Sequence, residues 1–214
     1  MIKKNRVFQL FMILFGMVLT SCSKDDDAIK YNDEYQGGIV FYIFQEGDVG
    51  FVSGETHGLI VSFEDLQTST GKTEVAWGCC NDGFDCLDIP EAENDEIGSG
   101  KSNTEAILNA CDEIDIAARL CDDYSKEYNG VVYDDWYLPS YMEMSYMNNH
   151  GLEYIIDHLD FYWTSSQYEY DETYVAYGWV DGCNAYPVRG CWSIRTDGGA
   201  RKNSKYKVRA VRNF

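Results

Sequence analysis

Several features are scarce in this sequence, and each scarcity argues against a class of protein. Histidine occurs three times, at positions that form no ligand set, and no pair of CxxC sequences is present, which argues against a zinc site. There is no P-loop, GxGxxG or GxSxG, so the usual signals of nucleotide binding and serine hydrolysis are missing. Beyond the N-terminus, no apolar run is long enough to span a bilayer.

Basic residues are also scarce, with 17 Lys and Arg against 36 Asp and Glu and a net charge of −19. Three of the basic residues lie within the first six positions. Without them the chain keeps 14 basic against 36 acidic side chains, a net charge of −22. We expect no binding to nucleic acid, because its phosphate backbone is itself an anion.

The N-terminus has the organisation of a secretory signal. The three basic residues precede an apolar run from Val7 to Leu19, and its roughly 13 residues are too few for a membrane-spanning helix. The sequence Leu-Thr-Ser-Cys at 19–22 resembles a lipobox, where signal peptidase II cuts before a lipid-modified cysteine. We therefore expect residues 1–21 to be a lipoprotein signal peptide and Cys22 to carry the lipid.

An acidic stretch follows the lipobox, and residues 22–34 are expected to be a flexible tether. Its Ser-Lys-Asp-Asp-Asp sequence at 23–27 resembles the signal by which Bacteroidota-type lipoproteins reach the outside of the outer membrane. This predicts a protein lipid-anchored in the outer membrane and facing the cell exterior, with no other membrane contact.

Seven cysteines follow Cys22, which is typical of an exported domain stabilised by disulfides, with one thiol left over. A straight helix would hold Cys111 and Cys121 about 15 Å apart, so a bond between them requires a helix break near residues 112–115. The sequence leaves the connectivity open, with zinc–thiolate binding as the competing interpretation. The favoured pairs are Cys183 with Cys191, Cys111 with Cys121, and Cys86 with Cys79 or Cys80.

Residues 35–214 are expected to form one domain of the α+β class. The apolar runs Ile39–Phe44 and Gly58–Phe63 predict an opening antiparallel hairpin, and residues 64–102 read as a long loop region stapled by disulfides. Asn103 and Ser140 are plausible helix caps. After them we expect core methionines at 142, 144 and 147, a short helix at 152–158, and strands at 161–167, 173–180, 186–194 and 206–211.

A series of motifs in a fixed order carries a family resemblance. They are GGIVFYI at 37–43, GLIVS at 58–62, WG at 77–78, GxGxxNT at 98–104, DWYLPS at 135–140, YWTSS at 162–166 and VRAVR at 208–212. Together they resemble the Lcl C-terminal-domain-like family, from about Gly37 to the C-terminus. The resemblance implies a variant of the C-type lectin-like fold on the cell surface; in the collagen-like adhesin that names the family, this domain binds sulfated glycans.

Two motifs have a simple structural interpretation beside a functional one. DWYLPS has an apolar middle and a proline before a helix cap, which favours a structural role, although Asp134 and Asp135 could join a calcium site. EF-hand spacing and the EPN or QPD triplets of sugar-binding lectins are absent, so we predict no cofactor and calcium lacks support. Ser165 and Ser166 lack a nucleophile elbow, and hydroxyls bonded to backbone are the simpler reading.

Charge is segregated toward the C-terminus. Residues 189–214 hold eight basic side chains against one acid, Asp197, whereas the rest of the mature chain has six basic against 35 acidic. One interpretation is internal pairing of these cations with acidic loops, which would offset charge repulsion. The other is an exposed patch for an anionic glycan, since Arg makes bidentate contacts with carboxylates.

Aromatic residues stand beside the basic ones, around the predicted Cys183–Cys191 bridge. Sugars stack on exposed aromatic faces, so this stretch is the candidate ligand surface. Its residues are Trp179, Asp181, Tyr186, Arg189 and Trp192.

The sequence thus predicts a surface lipoprotein that acts as a binding module for an extracellular glycan or a host or envelope protein, and not an enzyme. Two alternatives remain. VRGCW at 188–192 faintly resembles a strand of formylglycine-generating sulfatase modifiers, which would make the chain an oxidase. A structural subunit of a surface or fimbrial assembly is the other.

Overall fold

The computed structural model describes part of the chain, and of residues 175–180 it describes the backbone alone. Within it the fold is of the α+β class with antiparallel sheets. No described helix is long and apolar enough to cross a membrane. The described residues are 28–81, 85–149, 161–167, 175–180 and 200–214.

Of the described strands, four have five to seven residues and the others have two or three. The strands are β1 (Glu34–Tyr35), β2 (Gly38–Ile43), β3 (Gly58–Ser62), β4 (Val75–Ala76), β5 (Cys80–Asn81), β6 (Asp85–Cys86), β7 (Lys126–Tyr128), β8 (Val131–Tyr133), β9 (Phe161–Gln167), β10 (Val175–Val180), β11 (Ala200–Arg201), β12 (Lys205–Tyr206) and β13 (Val211–Asn213). The helices are α1 (Gly100–Ala110), α2 (Ala117–Asp122) and α3 (Tyr141–Asn149), with a 3₁₀ turn at Pro90–Ala92.

The central sheet joins both ends of the domain, in the order β1-β2-β3-β13. The predicted opening hairpin is confirmed, because β2 pairs antiparallel with β3, with Ile39 opposite Val61. β13 pairs with the other edge of β3. At the end of the predicted tether, the Asn32 N–H donates to the carbonyl oxygen of Val40, so this stretch already lies along β2.

The central sheet is buried on both faces, which explains why its strands are apolar throughout rather than alternating. On one face, Val40 and Ile60 belong to a large core with the helices α1 and α2 and three buried tryptophans, Trp77, Trp136 and Trp163. On the other face, Phe41 and Leu59 pack with Met144 and Met147 of α3. The core role predicted for the methionines is confirmed for these two, whereas Met142 is exposed.

The first helix begins earlier than the sequence predicted. Ser99 precedes it, and Asn103 lies within its first turn rather than at the cap. The Asn103 amide is buried and donates to the carbonyl oxygen of Asn94 and to Ser165 Oγ. The Asn103 side chain therefore makes a long-range polar contact instead of the helix cap that the sequence predicted.

A reciprocal cap starts α3, as predicted for Ser140. The Ser140 N–H donates to Glu143 Oε2 at 2.8 Å, and the Glu143 N–H donates to Ser140 Oγ at 3.3 Å. The other carboxylate oxygen of Glu143 accepts the Gly98 N–H at 2.9 Å. Gly100 lies so close that an added Cβ would stand 2.3 Å from Glu143 Oε2, which accounts for the second glycine of the GxGxxNT motif.

The described cysteines correct one predicted pair and select between two others. Cys80 faces Cys86 across β5 and β6 at disulfide distance, as one of the predicted alternatives. Cys111 pairs with Cys79, with 5.4 Å between their Cα atoms, and Cys121 is a buried free thiol. The Cys111–Cys121 prediction was therefore wrong.

The reason for this correction is the path of the chain between the helices. α1 ends at Ala110 and α2 begins at Ala117, so the predicted helix break exists. The returning chain forms a bridge between Ile116 and Ala76, which places Cys111 beside the loop that carries Cys79. α2 turns Cys121 into the core instead. Cys22, Cys183 and Cys191 lie outside the described residues.

Two other features differ from the sequence prediction. The strand expected at 206–211 divides into β12 and β13, because residues 207–210 bond in turn to β9 and to the loop after β3. The hairpin of β7 and β8 was not predicted, although its turn is Asn129-Gly130, with φ of 51° and 80°. That dipeptide is a strong hairpin signal. The expected helix at 152–158 and strand at 186–194 lie outside the described residues.

We predict that non-reducing peptide mapping will recover Cys79 linked to Cys111 and Cys80 linked to Cys86. Burial raises the pKa of the Cys121 thiol well above its usual value, so a thiol reagent should label Cys121 only after unfolding. The variant Cys121→Ala serves as control and should keep both links. A peptide joining Cys111 to Cys121 would contradict this arrangement.

We predict that Glu143→Gln lowers the free energy of unfolding by about 1–3 kcal/mol. Both oxygens of Glu143 accept backbone N–H groups, and the NH2 group of a glutamine would face one of these donors. Burial raises the pKa of Glu143 to about 7, against the opposing effect of the backbone N–H groups of Ser140, Gly98 and Gly100. The folded state thus binds a proton that the unfolded state releases near its ordinary pKa, so this contribution to stability falls as pH rises toward 7.

Urea unfolding of wild type and variant between pH 5 and 8 checks both statements. The difference in unfolding free energy should be largest at pH 5 and smaller at pH 8. Glu105→Gln, on an exposed position of α1, is the matched control and should change stability by less than about 0.5 kcal/mol at any pH. A gap that widens as pH rises would show that Glu143 is buried as a carboxylate.

Candidate functional site

The basic C-terminal residues are mostly turned inward. Arg212 is 7% exposed, and its Nε and Nη2 both donate to the Asp135 carboxylate, while Nη1 donates to Gln36 Oε1 at 2.6 Å. Its guanidinium also lies 4.6 Å from the ring centre of Tyr133. The bidentate pair locks the DWYLPS motif to β13.

A second pair joins Asp65 to the same segment. Arg209 Nε donates to Asp65 Oδ1 at 2.6 Å, and its Nη1 donates to the carbonyl oxygen of Ser62 at 2.9 Å. Lys207 Nζ lies 3.4 Å from Asp65 Oδ2, and the Tyr162 hydroxyl donates to that oxygen at 3.2 Å. The Asp65 carboxylate thus contacts two cations, Arg209 and Lys207, and the Tyr162 hydroxyl.

The third inward cation is Lys202, which is fully buried. Its Nζ donates to Gln167 Oε1 at 2.6 Å and to the carbonyl oxygen of Leu87, and it lies 4.3 Å from the ring centre of Trp77. Burial lowers the pKa of Lys202 to about 8, although the Asp88 carboxylate acts in the opposite direction.

These contacts favour internal charge pairing for Arg212, Arg209 and Lys207, while Lys202 is buried against a carbonyl and an amide oxygen. Arg201 and Lys205 are exposed and remain available to an anionic ligand. Arg189 and Arg195 lie outside the described residues. An anion-facing patch, if present, is therefore smaller than the sequence count suggests.

A stacked aromatic pair, with one ring exposed and the other half-buried, stands at the edge of the three-stranded sheet β11-β10-β9. Phe161, at the start of β9, is 42% exposed and stacks on Tyr206 with ring centres 4.9 Å apart and an interplanar angle of 19°. Trp163, on the same face of β9, lies 4.5 Å from Tyr206 and is buried, so it supports the pair from below. Lys205, adjacent in sequence, is exposed.

The predicted ligand residues begin where this aromatic pair lies. Along β10, Trp179 is opposite Tyr162 and Val180 is opposite Phe161, so β10 ends beside Phe161. For Trp179 only the backbone position is described. Asp181, Tyr186, Arg189 and Trp192 lie outside the described residues, between this point and β11.

The other motifs take structural roles among the described residues. Trp136, Tyr137 and Leu138 of DWYLPS are buried, and the Asp135 carboxylate is bound by Arg212. No group of three or more His, Cys, Asp or Glu side chains suited to a metal occurs in the described ranges. Arg212 thus occupies the carboxylate considered for calcium.

Of the two serines of YWTSS, Ser166 bonds to the backbone as predicted, whereas the Ser165 hydroxyl bonds to a side chain. Ser165 Oγ accepts from Asn103, and Ser166 Oγ accepts the Tyr141 N–H at 3.0 Å and donates to the carbonyl oxygen of Asn94 at 3.0 Å. Both serines are fully buried. Neither bonds to a histidine within the part of the chain that the structure describes.

Sequence reasoning did not single out Phe161, Tyr206 or Lys202. Phe161 could have been found, because it opens a predicted strand, and it is the one exposed position of that strand. The contact between Lys202 and Gln167 has no local signal, since the two residues lie 35 positions apart.

Comparison with known proteins gave no match: no family model matches the sequence, and no curated protein matches it.

We predict that Arg212→Lys lowers the free energy of unfolding by about 1–3 kcal/mol, because an ammonium group cannot replace a bidentate contact that also reaches Gln36. Arg201→Lys, at an exposed position, is the matched control and should stay within about 0.5 kcal/mol of wild type. Urea unfolding monitored by tryptophan fluorescence measures both. Equal stability of the two variants would mean that the bidentate geometry and the Gln36 contact add nothing to the free energy of unfolding beyond a single ion pair.

Proposed function

We propose that this chain is a surface-exposed lipoprotein, anchored through a lipid on Cys22, whose folded domain has a C-type lectin-like fold and binds an extracellular glycan. The N-terminal signal and lipobox support the location. The two cysteine pairs at disulfide distance support an oxidising compartment. The resemblance to the Lcl C-terminal-domain-like family supports the fold, together with the α+β architecture.

The observation that carries the binding role is the exposed ring of Phe161, which stacks on the half-buried Tyr206. An exposed aromatic ring offers a flat apolar surface on which a sugar ring stacks, and Tyr206 behind it is held in place by Trp163 and by the backbone pairing of β12 with β4. The chain that carries the sequence-predicted ligand residues starts at the same place.

A glycan-array screen of soluble residues 28–214, with and without calcium and at two salt concentrations, tests the proposal. Reproducible binding is expected, and Phe161→Ala should weaken it about five- to tenfold, since an aromatic contact contributes about 0.5–1.5 kcal/mol beyond area burial. Salt sensitivity would implicate the exposed cations. Arg189→Ala and Trp192→Ala extend the test to the adjacent predicted ligand residues.

Phe51→Ala is the matched control, because Phe51 is 38% exposed on the loop between β2 and β3 and is similar in size and exposure to Phe161. It should leave glycan binding unchanged. Equal effects of the two variants would argue against a site at Phe161. A blank array from folded protein would reject glycan recognition in favour of a host or envelope protein, and self-association at micromolar concentration would favour a structural subunit.

A further inference from the structure

Lys202 and Gln167 meet at the other end of the three-stranded sheet, where β9 ends and the chain leaves β11. Lys202 is fully buried and Gln167 is 2% exposed. The amine nitrogen lies 2.6 Å from the amide oxygen. Because a C=O bond is about 1.2 Å long, the amine lies at most about 3.8 Å from the Gln167 carbonyl carbon, and a small shift from the oxygen to a position above the amide plane would bring it to attack distance.

The Gln167 amide is held at both of its polar atoms. Its oxygen also accepts the Ile89 N–H at 2.9 Å, so a developing negative charge there has a donor besides the lysine. Its nitrogen donates to Asp88 Oδ1 and lies 3.5 Å from Glu93 Oε1. An amide with donors on its oxygen and carboxylates on its nitrogen is arranged for acyl transfer.

The amine must be neutral to act as a nucleophile, and its surroundings favour that form. Burial desolvates Lys202 and lowers its pKa to about 8, although the Trp77 ring and the Asp88 carboxylate favour the charged form. About a tenth of the molecules then hold a neutral amine at pH 7. A reaction that each molecule completes once needs no larger fraction.

We propose that Lys202 and Gln167 join in an intramolecular isopeptide bond. The Nζ lone pair attacks the Gln167 carbonyl carbon, and the carbonyl π electrons move to Oε1, beside the Ile89 N–H. Asp88 takes a proton from the attacking nitrogen and gives it to Nε2. The tetrahedral intermediate collapses with loss of ammonia, so the amine and the primary amide become a secondary amide and one NH3, with no oxidant or cofactor.

This bond closes a covalent ring around residues 168–201. That ring contains every residue of the sequence-predicted ligand surface, from Trp179 to Trp192. Its ends would be held together independently of the fold and of any disulfide. The crosslink does not depend on glycan binding, so the two proposals stand or fall separately.

Intact mass spectrometry of residues 23–214, after reduction and alkylation, tests the proposal. The expected mass is about 17 Da below that of the sequence, the mass of the ammonia released. Tandem spectra should show one branched peptide that joins Gln167 to Lys202. Asp88→Asn, an exposed and isosteric change, should slow the reaction and leave a measurable uncrosslinked fraction.

Lys202→Arg keeps the positive charge but removes the nucleophile, so its mass should equal that of its sequence. Wild-type protein that retains its full mass after a day at pH 8.5 would overturn the proposal and leave Lys202 as a buried structural cation. A loss of 17 Da located elsewhere, at an asparagine or at the N-terminus, would overturn it equally.

Discussion

Residues 200–214 are the contact on which the rest of the described fold depends. Within fifteen residues this segment pairs with β10, β4 and β3, and between those pairings it bonds to β9. It also contributes Val208 and Ala210 to the larger core and Val211 to the smaller one. Among the described residues, this stretch joins the four-stranded sheet, the three-stranded sheet, both cores and the loop region.

The same segment resolves the electrostatic problem of a strongly acidic chain. Its inward cations meet carboxylates that come from distant loops: Arg212 binds Asp135, and Arg209 and Lys207 bind Asp65. Each of these carboxylates would otherwise add to the repulsion of a compact acidic chain. The segment that completes both cores thus also carries the cations that pair with these distant carboxylates.

What the sequence could predict were the features encoded by neighbours along the chain. The strands Gly38–Ile43 and Gly58–Ser62 could be predicted because they are apolar runs that follow glycines. Ser140, with Glu143 three residues later, is a recognisable helix cap. The Asn129-Gly130 turn was equally readable. These features depend on a few consecutive residues and on no distant partner.

The missed features depend on partners that only the finished fold brings together. Cys111 was assigned to a cysteine ten residues away, whereas the chain path carries it to Cys79. Asn103 was assigned to the backbone of its own helix, whereas Ser165 holds it. Likewise, a charge count could not tell the inward Arg212 from the exposed Arg201, because both lie in the same basic stretch.

The late position of residues 200–214 in the sequence bears on when this domain folds. Neither core is complete without them, and contacts between distant parts of a chain form slowly. For the exported lipoprotein that we propose, this means that the chain stays unfolded while its earlier residues are transported. The Cys79–Cys111 pair then forms as the core assembles, because the fold rather than nearness in sequence brings the two cysteines together.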